Sequence, residues 1–124
     1  MIANRRKTEK NKLTDKILSE IKKIKLLEYN KCVLCGSKHN LELGHVFTRS
    51  YKSTIFEMDN NFIQCKTCNN YHEIDPNIYY NWVKLEIGNK RFEELQSKTR
   101  TLKKWKVYEL EELMNQLKKS HRKR

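Results

Sequence analysis

Cys32-Val33-Leu34-Cys35-Gly36 opens, and Gln64-Cys65-Lys66-Thr67-Cys68-Asn69 closes, a stretch whose middle reads Leu41-Glu42-Leu43-Gly44-His45-Val46-Phe47. The two Cys-x-x-Cys pairs use all 4 cysteines of the chain. Each such turn lets two thiolates converge on one ion, and two turns complete the tetrahedral shell that zinc prefers. In a reducing compartment this reading outweighs disulfides. Two buried thiol pairs or a thioredoxin-like redox site are the remaining uses. Cys32, Cys35, Cys65 and Cys68 are therefore expected to hold one structural Zn2+, with Gly36 allowing the tight turn behind the first pair. The staple presents His45, and the flanks read as helical support.

Working outward, Leu41-Glu42-Leu43 alternates like a short strand that delivers Gly44-His45, and Val46-Phe47 is expected as the return strand. His39 falls in a polar loop. Thr48 to Ser53, with Arg49, Tyr51 and Lys52, suits a loop crossing a nucleic-acid backbone. Asp59-Asn60-Asn61 signals a turn, and Phe62-Ile63 leads into the second cysteine pair. Before the stretch, Leu13, Ile17, Ile21 and Ile24 recur at helical spacing, so a helix is expected from about Thr14 to about Tyr29, capped by Thr14-Asp15. Its lysines, Lys16, Lys22, Lys23 and Lys25, are placed on the outer face. After Cys68 a helix begins on the knuckle, and Pro76 marks a break or a new start. Ile78, Tyr79, Trp82, Val83 and Leu85 form a helical stripe ending at Gly88. A shorter helix covers Arg91 to Leu95, and a basic linker runs from Lys98 to Lys104. A last amphipathic helix carries Tyr108, Leu110, Leu113, Met114 and Leu117. The expected organisation is a basic, flexible N-terminus (1–12), then one domain (13–124) ending in a basic tail from Lys118.

Composition narrows the class. The 124 residues make one domain's worth of chain, and with 37% hydrophobic and 34% charged residues its core is small, so a metal staple is useful. A net charge of +12, from 27 Lys+Arg against 15 Asp+Glu, calls for a polyanionic partner, and nucleic acid is the first candidate. No segment reads as a signal peptide or a membrane span, so no membrane partner is expected.

Phosphodiester hydrolysis needs a base to activate water and a cation to stabilise the pentacoordinate phosphorane and leaving oxygen. His45 has the pKa range for the base. Asn69 offers a hard carbonyl oxygen suited to Mg2+ or Mn2+, and His72 and Glu73 sit at positions that can share its helix face. With Gly44-His45-Val46-Phe47, Arg49, Asp59-Asn60 and Gln64-Cys65-x-x-Cys68-Asn69, the chain resembles the HNH (ββα-metal) nucleases. More narrowly it resembles the NinG/Rap recombination-nuclease family of lambdoid phages, over roughly residues 30–95.

The resemblance implies an α+β, mostly helical fold: a zinc-stapled HNH-like core flanked by N- and C-terminal helices. It implies that His45 is the general base, that Asn60 pins the loop bearing it (with Asn61 as the alternative), and that Asn69 binds the catalytic Mg2+ or Mn2+. Arg49 is either a transition-state stabiliser or an ordinary phosphate contact. One departure stands out: where many HNH nucleases have a metal-binding aspartate or histidine, this chain has Gly44. The cation then falls to Asn69 with some of His72, Glu73, water and phosphate, or His45 is drawn onto the metal. The expected activity is metal-dependent DNA endonuclease action on branched recombination intermediates, in the cytoplasm of a bacterial host carrying the phage or prophage. A homodimer stays open. The rival readings are a non-catalytic zinc-ribbon DNA-binding or adaptor protein and a restriction-type HNH nuclease on linear duplex.

Overall fold

In the computed structural model, which describes residues 8–122, five α-helices surround one antiparallel β-hairpin. The arrangement is a mostly helical α+β fold, as expected. Helix α1 (Glu9–Glu28) starts where the Thr8 hydroxyl accepts a 3.1 Å bond from the Asn11 N–H, and Glu9 complements the helix dipole. That start precedes the expected cap at Thr14-Asp15, because the cap, and not the apolar stripe beginning at Leu13, holds the first turn. The last residues of the expected flexible N-terminus are thus helical, while residues 1–7 lie outside the described residues.

Ile17, Ile21 and Ile24 are each 0% exposed, and burying a side chain of this size contributes roughly 1.5–3 kcal/mol. They meet Leu110 and Leu117 of the last helix, α5 (Val107–Arg122), with Ile55 and Phe56 from the loop beneath. From Lys118 onward, where the sequence predicts a basic tail, the chain is still helical. His121 Nδ1 lies 2.8 Å from the buried Glu20 carboxylate on α1. Lys25 is a second correction: it is not on the outer face but buried, with its ammonium 4.0 Å from the centre of the Phe62 ring. Burial lowers its pKa, and the ring face replaces part of the lost hydration.

The hairpin pairs β1 (Leu41–His45) with β2 (Asn61–Cys65), in a register that sets Leu41 opposite Cys65 and His45 opposite Asn61. Val46-Phe47 is therefore not the return strand. The Val46 N–H still reaches the Asn60 carbonyl at 2.8 Å, but the chain then leaves the sheet in a long loop closed by a 3-10 turn at Met58–Asn60. Strand alternation puts Leu41, Leu43 and His45 on one face and Glu42 and Gly44 on the other.

Helix α2 (Lys66–Tyr71) begins inside the second cysteine pair, one turn earlier than expected, with the Cys65 sulfur accepting the Cys68 N–H as its cap. It lies against both strands. Helices α3 (Asn77–Ile87) and α4 (Asn89–Lys98) meet at Gly88, whose φ of +88° ends the first as the sequence predicts. Tyr79, Val83, Phe92 and Leu95 from these helices join Val46, Phe47 and Phe62 in a second core cluster. The hairpin is thereby held between two apolar clusters, one on each side. Trp105 closes the basic linker by donating to the Lys52 carbonyl at 2.8 Å and packing edge-on against Phe56. No described helix is long and apolar enough to cross a membrane.

Candidate functional site

The thiols converge first. All four Sγ atoms of Cys32, Cys35, Cys65 and Cys68 lie within 4.8 Å of one another, and Cys35 and Cys65 are 3.7 Å apart. Sulfurs bound at about 2.3 Å to a tetrahedral zinc stand about 3.8 Å apart, so the donor set and spacing fit the ion. Gly36, at φ +80°, donates to the Cys32 carbonyl at 2.9 Å and shapes the first turn. Burial pushes the Cys32 thiol up, but backbone hydrogen bonds at Cys35, Cys65 and Leu34 outweigh it and bring the pKa down to about 7. Burial and the neighbouring sulfurs push Cys68 the other way. Four thiols this close ionise together only with a cation among them, and a dication supplies that charge.

Above this cluster, at the end of β1, His45 Nδ1 lies 2.6 Å from Asn61 Oδ1. The Asn61 amide is oriented by its other end, since Nδ2 donates to the Ile55 carbonyl at 3.0 Å and the Glu57 carbonyl at 2.8 Å. Its Oδ1 must therefore accept, which makes His45 Nδ1 the protonated nitrogen and leaves Nε2 with the lone pair. Burial lowers the His45 pKa below its ordinary 6.5, the Asn61 hydrogen bond raises it, and the Arg49 charge lowers it. The net shift is downward, so the ring is neutral at neutral pH.

Asn60 does a different job. Its Oδ1 accepts the Phe47 N–H at 2.8 Å and its Nδ2 donates to the Phe47 carbonyl at 3.1 Å, and the side chain is 0% exposed. Both asparagines weighed in the sequence thus contribute: Asn60 fixes the loop backbone just past His45, and Asn61 fixes the imidazole. Replacing Asn60 with alanine leaves a buried N–H and a buried carbonyl unpaired, so it is expected to cost about 2–4 kcal/mol. Denaturant unfolding checks this; a loss within error of zero would mean that the loop does not depend on the clamp.

Two further groups hold the same corner. The Tyr79 hydroxyl, fully buried, donates to the Gly44 carbonyl at 2.8 Å. His72 Nε2 lies 2.9 Å from the Val46 carbonyl and must donate to it, while the ring packs edge-on against Tyr79 and Tyr80. The His72 Nδ1 is buried and has no partner. Glu73 is exposed. The Asn69 Nδ2 donates to Glu42 Oε1 at 2.9 Å, which leaves its carbonyl oxygen as a hard donor. Arg49 has a half-exposed side chain 3.5 Å from Asp15, within Coulomb reach of His45.

The family described as bacteriophage lambda NinG protein matches residues 2–124. The chain belongs to the NinG family. The match takes in both cysteine pairs, the hairpin and all the flanking helices, so the NinG fold as seen here includes α1 and α5 as well as the central segment. No curated protein and no solved structure matches the chain. Two residues of this corner went unread in the sequence, Glu42 as the partner of Asn69 and Gln64 packed against Gly44. The strand alternation that places Glu42 and Gly44 on one face is the signal that would have found the first.

Proposed function

We propose that this NinG-family protein is a metal-dependent DNA endonuclease that hydrolyses phosphodiester bonds in branched intermediates of phage recombination, through an HNH-like ββα centre. The observation that carries this reading is the His45 ring, which offers a free Nε2 lone pair, is fixed by Asn61, and stays neutral at neutral pH. A hairpin followed directly by a short helix, with zinc ligands at its base, supports the HNH-like architecture. The NinG family membership supports the phage setting.

In this mechanism His45 Nε2 takes the proton from the attacking water. As the imidazolium forms, its Nδ1–H keeps its bond to Asn61 Oδ1, which is stronger to a charged donor. Arg49 meets the phosphate's negative charge from the loop side. The Asn69 carbonyl oxygen is a hard donor suited to magnesium or manganese, and such an ion, when bound, stabilises the phosphorane and the leaving oxygen. His72 and Tyr79 hold the backbone on either side of His45, so the base does not drift.

Nicking of supercoiled plasmid tests this reading against the rival zinc-ribbon adaptor. Cleavage is expected only with added Mg2+ or Mn2+. Because the reactive form of His45 is deprotonated and its pKa is lowered, the rate should be level at neutral pH and fall as pH drops through a value below 6.5. An adaptor would bind without nicking. Binding itself should be strongly electrostatic, since the formal charge is +12. Contact with about four phosphates predicts a log–log salt slope near −3.6, and a flat dependence would exclude phosphate tracking.

A further inference from the structure

A cleft of about 430 Å3, sharing no lining residue with the His45 corner, opens between α1, α5, the linker before α5 and the loop that follows β1. Its lining has two parts. Ile55, Phe56, Trp105 and Leu110 give it an apolar side, and Lys10, Lys52, Lys103 and Lys104 bring positive charge to it. No carboxylate lines it among the described residues. The lysines come from three segments far apart in sequence, so the fold gathers them; they are not one charge run. Lys103 is committed, because its ammonium pairs with Glu109 at 3.0 Å and stands 4.5 Å from the centre of the Trp105 ring. Lys10, Lys52 and Lys104 are exposed, and none has a carboxylate partner among the described residues. Lys52 is held instead by its 3.1 Å bond to the Arg49 carbonyl. Trp105 is fixed by its bond to the Lys52 carbonyl and its edge-on contact with Phe56, so the indole is set before any ligand arrives.

An aromatic, apolar side beside three ammonium groups without carboxylate partners suits a flat apolar body that carries phosphates. A base inside a duplex spends its faces on its neighbours in the stack, so only an unpaired nucleotide can offer a face and phosphates to one cleft. The position suits a strand leaving the His45 corner. Arg49 lies three residues before Lys52 in the same loop and meets Asp15, the neighbour of the cleft-lining Thr14. We propose that this cleft binds one unpaired nucleotide of DNA, with its base against Trp105 and Phe56 and its flanking phosphates on Lys10, Lys52 and Lys104. Its use rests on the nuclease reading: branched DNA offers unstacked nucleotides at the branch and linear duplex does not, so the cleft tells the two apart.

Binding is read on the zinc-loaded full chain without added Mg2+ or Mn2+, which keeps it apart from cutting. The chain has 2 tryptophans, so in Trp82→Phe protein Trp105 is the sole indole emitter. Oligothymidylate is expected to quench that emission, while linear duplex and poly-glutamate leave it near its starting value. Trp105→Leu should cut the preference for flap DNA over linear duplex about tenfold, the measure of one lost base stack, and Trp105→Phe should keep most of it. Lys52→Ala combined with Lys104→Ala, both at exposed positions, should make the log–log salt slope shallower by about 1.5. Melting curves verify that each variant folds; if Trp105→Leu does not, the quenching and the lysine pair decide. Equal quenching by duplex or poly-glutamate, an unchanged preference in folded Trp105→Leu, or an unchanged salt slope in the lysine pair would overturn the site. A preference that Trp105→Leu abolishes, in a protein that never cuts, would keep the cleft and remove the nuclease. Cation-dependent cutting with no quenching by oligothymidylate would do the reverse.

Discussion

His45→Ala is expected to slow DNA cleavage by about 10²–10⁴-fold while leaving zinc content and DNA affinity at wild-type levels. The ring turns its Nδ1 to Asn61, which leaves Nε2 with its lone pair, and it contributes nothing to the thiol cluster. Its removal strands Asn61 Oδ1, so a modest loss of stability accompanies the loss of rate; unfolding curves separate the two. A positioning variant gives a readout that a structural role would not move. Asn61→Asp places a carboxylate on His45 Nδ1, stabilises the imidazolium and raises the pKa, so the acidic limb of the pH–rate profile should shift upward. Near-normal cleavage by purified His45→Ala protein would end the general-base assignment. Loss of folding in that variant would make the residue structural.

Removing zinc should be the largest effect on stability. Cys65 ends β2, caps α2 and is buried, so a metal held by the four thiols would tie the hairpin to the helix that lies on it. Zinc binding by such a set is worth many kcal/mol of folding, and losing even about 3 kcal/mol lowers Tm by about 10 °C in a domain of this size. Cys65→Ser, or chelation of the wild type, is expected to lower Tm by at least about that much, with metal content and stability falling together. The α1–α5 pair has its own apolar cluster and should be the last part to melt. Melting unchanged after verified metal removal would show that the thiols are not a folding site.

The sequence made the thiol cluster, the α3 stop at Gly88 and the hairpin's first strand readable, because each has a short local signature: Cys spacing, a single glycine, period-2 alternation. It misplaced what depends on distant contacts. Val46-Phe47 looks like a strand by composition, but the Asn60 side chain claims both of Phe47's backbone groups. Lys25 looks like a surface lysine, but the aromatic face of Phe62, far along the chain, takes it in. The same holds at the site. Asn60 and Asn61 are adjacent and chemically alike, and only the register, which sets Asn61 opposite His45, tells their tasks apart. Gly44 reads as a position lacking a side chain until Gln64, from the facing strand, is seen filling the space a Cβ would need.

Single-turnover cleavage of labelled four-way-junction, flap and linear duplex DNA by the zinc-loaded protein, with and without Mg2+ or Mn2+, tests the nuclease reading most directly. Cutting is expected to need the added cation, to be fastest on the branched substrates, and to disappear in His45→Ala. Tight binding to all of these DNAs with no cutting under either cation would contradict it and leave a zinc-stapled DNA-binding protein in its place.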